Sequence, residues 1–192
     1  MVRDGEASRR RLLAAATAEF ARYGIAGARV DRIAADSGVN KAQMYGWFGS
    51  KDGLFDAVFD EQLHRIVDTV PFTADDLPGF AVGLYDSYLT APELVRLSSW
   101  NRLERVPVGA LLSGHQDLVR PKHDAIVRAQ EQGRIVREIS PEDVYALVIA
   151  LAGTWSPVSG TYTASAPQAG ADHDRRRAAL RLAVERALVP PS

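Results

Sequence analysis

The sequence contains no cysteine, which excludes disulfides, thiolate metal sites and cysteine nucleophiles. It has no run of about 18 apolar residues and no N-terminal cleavage pattern, so we expect neither export nor a membrane partner. Neither sign of charge is in excess, because the sequence contains 23 Lys and Arg and 24 Asp and Glu. We therefore expect a cytoplasmic protein in which any nucleic-acid site is confined to one part of the chain.

Motifs of catalysis are also missing. The sequence has no GxSxG, no HExxH and no phosphate-cradling glycine loop. Its four histidines, at 64, 115, 123 and 173, form no pair four residues apart of the kind that binds zinc on a helix. We predict that the protein is not an enzyme and carries no metal or cofactor.

What is present is helical periodicity, with no alternating strand pattern of any length, so we predict an all-α fold. The first helix should run from Ser8 to Tyr23, with Ser8 as its N-cap and Gly24 as a left-handed C-terminal cap. Its apolar stripe comprises Leu12, Leu13, Ala16, Phe20 and Tyr23.

Two short helices follow. Val30, Ile33 and Ala34 form the stripe of a two-turn helix that Gly38 ends, and Asn40 is a good N-cap for a third helix beginning at Lys41. The inward stripe of this third helix should comprise Met44, Tyr45 and Phe48. The residues left facing outward are Lys41, Ala42, Gln43, Gly46 and Trp47.

Two short helices joined by a glycine-containing turn and braced by a preceding helix constitute a helix-turn-helix. Its second helix enters the DNA major groove, where Lys and Gln side chains hydrogen-bond to base edges and small residues permit close approach. The absence of a side chain at Gly46 would then leave room for DNA to approach the helix. Residues 1–50 contain eight Lys and Arg against five Asp and Glu, a local basic excess that favours phosphate binding.

The segment RIAADSGVNKAQMYGWFGSKDGLF resembles the signature of the TetR family of bacterial transcriptional repressors. The matching positions are Ile33, Ala34, Ser37, Gly38, Val39, Asn40, Tyr45, Trp47, Phe48, Ser50 and Lys51. The resemblance implies a homodimer that binds a palindromic operator in double-stranded DNA. It also implies a C-terminal domain that binds a small-molecule effector and thereby alters operator affinity.

Two departures from the family pattern bear on DNA contact. Ala28 and Arg29 stand where the family has a hydroxyl cap for the second helix, so Arg29 would contact phosphate by charge instead. Ala42 stands where the family often has Gly, and Trp47 where it often has Tyr or His. The Trp47 indole either packs on a sugar-phosphate or thymine methyl, or leans back onto Phe48 and the fourth helix.

The DNA-contact candidates are Arg29, Asn40, Lys41, Ala42, Gln43, Tyr45, Gly46, Trp47 and Lys51. For Lys41, Gln43 and Lys51 the alternative is an ordinary solvated side chain. Tyr45, whose hydroxyl the resemblance directs to phosphate, is alternatively only a core aromatic, and both roles are compatible. The run Arg9 to Arg11 is either a solvated face or an arm that approaches the minor groove.

We predict three regions: a helix-turn-helix domain at 1–50, a connecting helix at 51–70, and a helical effector-binding and dimerisation domain at 71–192. The fourth helix should run from Lys51 to Asp68. Later helices are predicted at Asp75 to Thr90, Pro92 to Arg105, Asp117 to Gln132, Pro141 to Thr154 or beyond, and Asp172 to Leu188. Ser140 should cap the helix that begins at Pro141.

The helix at 141 and the last helix are candidates for a four-helix bundle between two subunits, the alternative being packing within one chain. The last helix brings together Ala179, Leu182, Ala183, Arg186 and Leu188.

Candidates for the effector pocket are Tyr85, Tyr88, Trp100, Asn101, His115, His123 and Trp155. Aromatic rings with a few polar groups are typical of small-molecule sites. The alternative function is a helical DNA-binding, architectural or partner-binding protein without an effector.

Overall fold

A computed structural model describes residues 2–112 and 114–191, and in the first helix the side chains are described from Gly5 onward. These residues form nine α-helices and no strand, which confirms the predicted all-α class. The helices are α1 (Val2–Gly27), α2 (Val30–Ser37), α3 (Lys41–Phe48), α4 (Lys51–Asp68), α5 (Leu77–Thr90), α6 (Pro92–Glu104), α7 (Gln116–Glu131), α8 (Pro141–Ala152) and α9 (Gly170–Leu188).

Short-range capping signals place the starts of three helices. The side chain of Asn40 accepts a hydrogen bond from the amide of Gln43 at 2.8 Å, and that of Ser140 from the amide of Asp143 at 3.1 Å. Both caps confirm the sequence prediction. α5 begins two residues later than predicted because Asp76 caps it, accepting from the Gly79 amide at 2.7 Å.

The predicted start of α1 was wrong. The helix already includes Val2, and Ser8 lies inside it, where its hydroxyl accepts a hydrogen bond from the Arg11 side chain. Gly24 breaks the helix with a positive φ of 71°, but its ψ of −178° lies outside the left-handed helical region, so the predicted left-handed cap was wrong. One further helical turn, to Gly27, follows that break.

α8 ends two residues earlier than predicted. A short 3-10 turn, Gly153–Trp155, follows it, and the backbone amide of Ser156 then bonds to the Gly153 carbonyl. Residues 156–169 connect this turn to α9 without a helix.

The chain divides into two compact units. Unit 1 comprises residues 1–66 and 93–111, and unit 2 comprises residues 67–92 and 112–192. α6 therefore belongs to the same unit as α1, α2 and α3. The domain boundaries predicted from the sequence place α6 in the second domain, and they stay a prediction.

Each unit has its own hydrophobic core. In unit 1, the rings of Phe20 and Phe55 meet edge to face at 5.2 Å, and Phe55 stacks on Phe59 at 6.0 Å. In unit 2, α5 packs against α8 and α9, and α7 packs against α8. Its buried residues include Leu77, Phe80, Leu84, Tyr85, Ile126, Val144, Val148, Leu180 and Val184.

Candidate nucleic-acid interface

α3 presents nearly all of its side chains to solvent. Met44 is its only fully buried residue and is 0% exposed, whereas every other residue from Lys41 to Gly46 is exposed. An eight-residue helix anchored by one methionine leaves most of its circumference free for another molecule. This arrangement matches the recognition helix of a helix-turn-helix.

Tyr45 lies on that free surface, and the prediction that it faces inward was wrong. Its side chain is 45% exposed. In a helix each residue is rotated by about 100° from its neighbour, so a residue adjacent to the buried Met44 belongs to either face in such a short element. The observed position leaves the hydroxyl accessible to a phosphate.

The turn between α2 and α3 is fixed by buried groups. Ser37 is 4% exposed, and its hydroxyl accepts a hydrogen bond from the amide of Val39 at 3.2 Å. Gly38 has φ 67° and ends α2 in the left-handed conformation that a glycine readily adopts. Val39 is buried beneath the turn and Ile33 beneath α2, so the angle between α2 and α3 is set by packing.

The second helix has no side-chain N-cap, and Glu19 instead binds the backbone amide of its N-cap residue, Arg29. Its carboxylate accepts hydrogen bonds from the Arg29 amide at 2.8 Å and from Nε of Arg32 at 2.8 Å. Burial by itself would raise the pKa of Glu19, but the bonds from Arg32 and from the Arg29 backbone lower it below the ordinary value. Sequence reasoning missed this contact because Glu19 lies on α1, ten residues before the amide that it binds.

The side chain of Arg29 takes no part in the bond to Glu19. Arg29 is exposed, and it is its backbone amide that bonds to Glu19. The guanidinium therefore projects into solvent beside the start of α2.

Lys41 forms an ion pair with Asp31 across the α2–α3 turn. The pKa of Lys41 is raised, first through its hydrogen bond with Asp31 and then through the charge of that carboxylate. Both side chains remain more than half exposed. Because exposed ion pairs are worth only about 0–1 kcal/mol, a phosphate can compete with Asp31 for Lys41.

Trp47 is half-buried and its indole meets the ring of Phe48 edge to face, with centroids 6.3 Å apart. The Arg9 guanidinium lies over the same Phe48 ring, 5.1 Å from its centroid. Trp47 therefore leans toward Phe48, as one of the two sequence-based alternatives has it. Arg9 packs on the helix-turn-helix through this cation–π contact.

Two further basic side chains bind backbone carbonyls. Nζ of Lys51 donates to the carbonyls of Ala26 and Ala28, both at 3.2 Å, and Nε of Arg11 donates to the Ser37 carbonyl at 3.3 Å. Lys51 thus fastens the start of α4 to the end of α1. Since an ammonium has three donors, one remains for a phosphate.

The seven predicted effector residues are divided between the two units. Trp100 and Asn101 belong to unit 1, and the other five belong to unit 2. Within unit 2, Trp155 meets Tyr85 edge to face at 5.8 Å, whereas His123 meets Tyr145 at 5.7 Å. Burial raises the pKa of both Tyr88 and Tyr145 to about 12. His115 lies at the N-terminus of α7 without capping it through its side chain.

A surface cleft in unit 2 is lined by Val127, Gln130, Glu131 and Arg137, none of which belongs to the predicted effector set. Within the described ranges, no three His, Asp or Glu side chains cluster as metal ligands would. No helix in this part of the chain is long and apolar enough to cross a membrane.

Comparison with known proteins agrees with this geometry. The family model "Bacterial regulatory proteins, tetR family" matches residues 12–58, and "Tetracyclin repressor-like, C-terminal domain" matches residues 76–186. The HTH-type transcriptional repressor SCO4008 of Streptomyces coelicolor is 38% identical over 160 residues, which cover 81% of each chain.

Solved structures share the fold along almost the whole chain. SCO4942 from Streptomyces coelicolor, a candidate transcriptional regulator, is 35% identical with a TM-score of 0.77, over 96% of this chain and 99% of that one. A gamma-butyrolactone receptor, an ArpA-like protein, has a TM-score of 0.65 over 97% of this chain and 90% of its own at 21% identity, which shows the fold alone. The chain therefore belongs to the TetR family of bacterial regulatory proteins and is a DNA-binding transcriptional regulator.

Proposed function

We propose that the protein is a repressor that binds a palindromic operator as a homodimer and is released by a small-molecule effector. The observation that carries the proposal is the exposed surface of α3, where the residues from Lys41 to Gly46 other than Met44 lie free of the protein interior. The relative SCO4008 is itself named a transcriptional repressor. Regulation of transcription implies a cytoplasmic location.

The α3 surface has the chemistry of major-groove contact. Gln43 and Lys41 supply donors and, in Gln43, an acceptor for base edges, while phosphates attract the Lys41 charge. Ala42 and Gly46 keep the helix narrow. Apart from its chain neighbours and the backbone of α3, no atom of the described residues lies within 4 Å of a Cβ built on Gly46, so packing against these residues does not account for that glycine.

Residues around α3 would hold the DNA backbone. Tyr45 offers its exposed hydroxyl, Arg29 its guanidinium at the start of α2, and Lys51 the donor left after its carbonyl contacts. Trp47 supplies an apolar edge beside Phe48. Asn40 contributes chiefly by capping α3, which fixes the height at which Lys41 and Gln43 meet the groove.

Dimerisation is supported by an exposed apolar face on α8 and α9. Leu147 is 42% exposed and Leu182 is 52% exposed. On α9, Ala179, Leu182, Ala183 and Arg186 are all exposed at helical spacing, whereas Leu188 is buried. α8 packs on α9 in the same chain, so the two faces are neighbours that a second copy can cover.

Release by an effector would act through α4. This single helix runs from Lys51 in unit 1 to Asp68 in unit 2. An effector that binds one conformation of unit 2 more tightly shifts the population toward that conformation and reorients α4. Two recognition helices moved away from a separation of about 34–36 Å no longer fit successive major grooves.

The test is selection of bound duplexes from a random library, followed by affinity measurements on the enriched sequence. Gln43→Ala and Lys41→Ala should each weaken operator binding, with the Gln43 variant also relaxing the consensus. Gln116→Ala is the matched control, because Gln116 is an exposed glutamine in the first turn of α7. Failure to enrich any palindrome at low salt would refute the operator proposal.

The alternative, a DNA-binding or partner-binding protein without an effector, is favoured by the cleft of unit 2, whose lining residues include none of the predicted effector residues. It predicts a selected operator whose affinity no small molecule changes. Thermal stabilisation by a compound that also lowers operator affinity would exclude it.

A further inference from the structure

A buried polar network joins α5 to α9 in unit 2. Tyr85, His173 and Arg176 are 1%, 6% and 4% exposed, respectively. The Tyr85 hydroxyl and Nδ1 of His173 lie 2.7 Å apart. Hydrogen bonding to the Tyr85 side chain is also the first cause that raises the pKa of Arg176.

The donors and acceptors of this network depend on the tautomer of His173. A guanidinium only donates, so the approach of Arg176 to the Tyr85 side chain favours the phenolic oxygen as an acceptor. The Tyr85 proton is then free to donate to Nδ1 of His173. A neutral imidazole that accepts at Nδ1 carries its proton on Nε2, so both ends of the network are hydrogen-bond donors.

Among the described residues, neither donor end has an anionic partner within hydrogen-bond distance. Nε2 of His173 is buried and has no hydrogen-bond partner among the described residues. Arg176 donates to the amide oxygen of Gln168 at 2.8 Å and lies 5.1 Å from the centroid of the Tyr162 ring. In the described part of the chain no carboxylate forms an ion pair with Arg176, although the more distant Asp172 contributes by its charge.

A buried guanidinium is costly unless an anion compensates it. The neutral oxygen of Gln168 and the face of Tyr162 offset this cost only in part, because neither group carries the negative charge that would pair with the guanidinium. Both residues belong to the segment 156–169, which has no helix of its own. Gln168 therefore holds a place on Arg176 that a carboxylate oxygen would bind more strongly.

We propose that Arg176 and His173 form a binding site for the carboxylate of a small organic acid, which replaces Gln168 on the guanidinium and accepts the Nε2 proton of His173. The rings of Trp155 and Tyr162 beside this site favour an acid with an aromatic or apolar body. The proposal deepens the proposed function, because the acid would be the effector, but the binding site itself does not depend on regulation.

The test is thermal unfolding and calorimetric titration of the full chain with formate, acetate and benzoate, and with benzyl alcohol as the neutral counterpart of benzoate. Benzoate should bind saturably and raise the melting temperature, while benzyl alcohol should not. Arg176→Gln should weaken benzoate binding by at least about tenfold, the loss expected for a charge-assisted bond. Arg177→Gln is the matched control, since Arg177 is the next residue of α9 and pairs with Asp86 and Asp174.

A second measurement covers the case in which Arg176→Gln does not fold. In the unaltered protein, benzoate should shift the imidazole nitrogen resonances of His173, assigned by comparison with His173→Gln. Binding that is equal in the parent protein and Arg176→Gln would overturn the proposal. So would the absence of saturable binding by all three carboxylates, or binding of inorganic phosphate in their place.

Operator affinity measured with and without benzoate separates this proposal from the regulatory one. Arg176-dependent binding of benzoate without a change in operator affinity would support the carboxylate site and speak against its role in release. Release of the operator by another compound, with no carboxylate bound at Arg176, would overturn the site and leave the regulatory function standing.

Discussion

Replacing Gly46 by alanine should make the protein more stable and a weaker DNA binder. Gly46 lies within α3, is exposed, and has no neighbour within 4 Å of an added Cβ. Alanine is favoured over glycine in a helix interior by about 1 kcal/mol, so the free energy of unfolding should rise by about that amount. A methyl group placed where DNA approaches the helix closely costs about 1–3 kcal/mol by overpacking, so operator affinity should fall about fivefold or more.

The assay pairs denaturant unfolding with titration of the selected operator at fixed salt. Gly170→Ala serves as the control, because Gly170 is the first residue of α9 and also has no neighbour within 4 Å of an added Cβ. It should leave operator affinity unchanged. A Gly46→Ala protein that is stabilised and binds the operator as tightly as its parent would refute the idea that this glycine gives clearance to DNA.

Three further perturbations follow from contacts described above. Glu19→Gln should destabilise unit 1 by about 1–3 kcal/mol at neutral pH. The pKa of Glu19 is lowered from 4.5, so the difference in stability from the parent protein should shrink as the pH falls below 4.5. Denaturant unfolding at a series of pH values measures this difference. Glu104→Ala should cost about 0.5–2 kcal/mol in the same measurement, since its carboxylate accepts from the Ile25 and Ala26 amides at 2.9 and 2.8 Å; no change would show that water replaces this cap. Leu182→Arg should shift sedimentation toward monomer and lower operator affinity together, while an unchanged dimer would place the interface elsewhere.

Local signals were enough to predict most of the fold. The caps at Asn40 and Ser140 act on amides three residues away, and the apolar stripes of α2 and α4 repeat within one helix, so a window of a few residues contains the whole cause. The start of α1 was the exception. Ser8 has the chemistry of an N-cap, but the residues before it also adopt helical structure, and its hydroxyl bonds to Arg11 instead.

The candidate sites were less predictable because their partners are distant in sequence. Glu19 binds the amide of Arg29, which lies just before α2, and the Tyr85 hydroxyl contacts His173 across 88 residues. Neither pair leaves a repeating pattern in the sequence. Tyr45 shows the other difficulty: a helix of eight residues has too few turns for its periodicity to define which side of it is buried.

The contact between Glu104 and the break in α1 has a consequence for how the protein folds. Its carboxylate binds amides 78 and 79 residues earlier in the chain, and a Cβ at Gly24 would come within 3 Å of both Glu104 and Trp100. Unit 1 thus closes over a long loop, which raises its contact order and the entropy lost before the contact forms. During synthesis, the helix-turn-helix must wait for α6 to leave the ribosome before this contact can form, and a fragment ending after α4 would lack it.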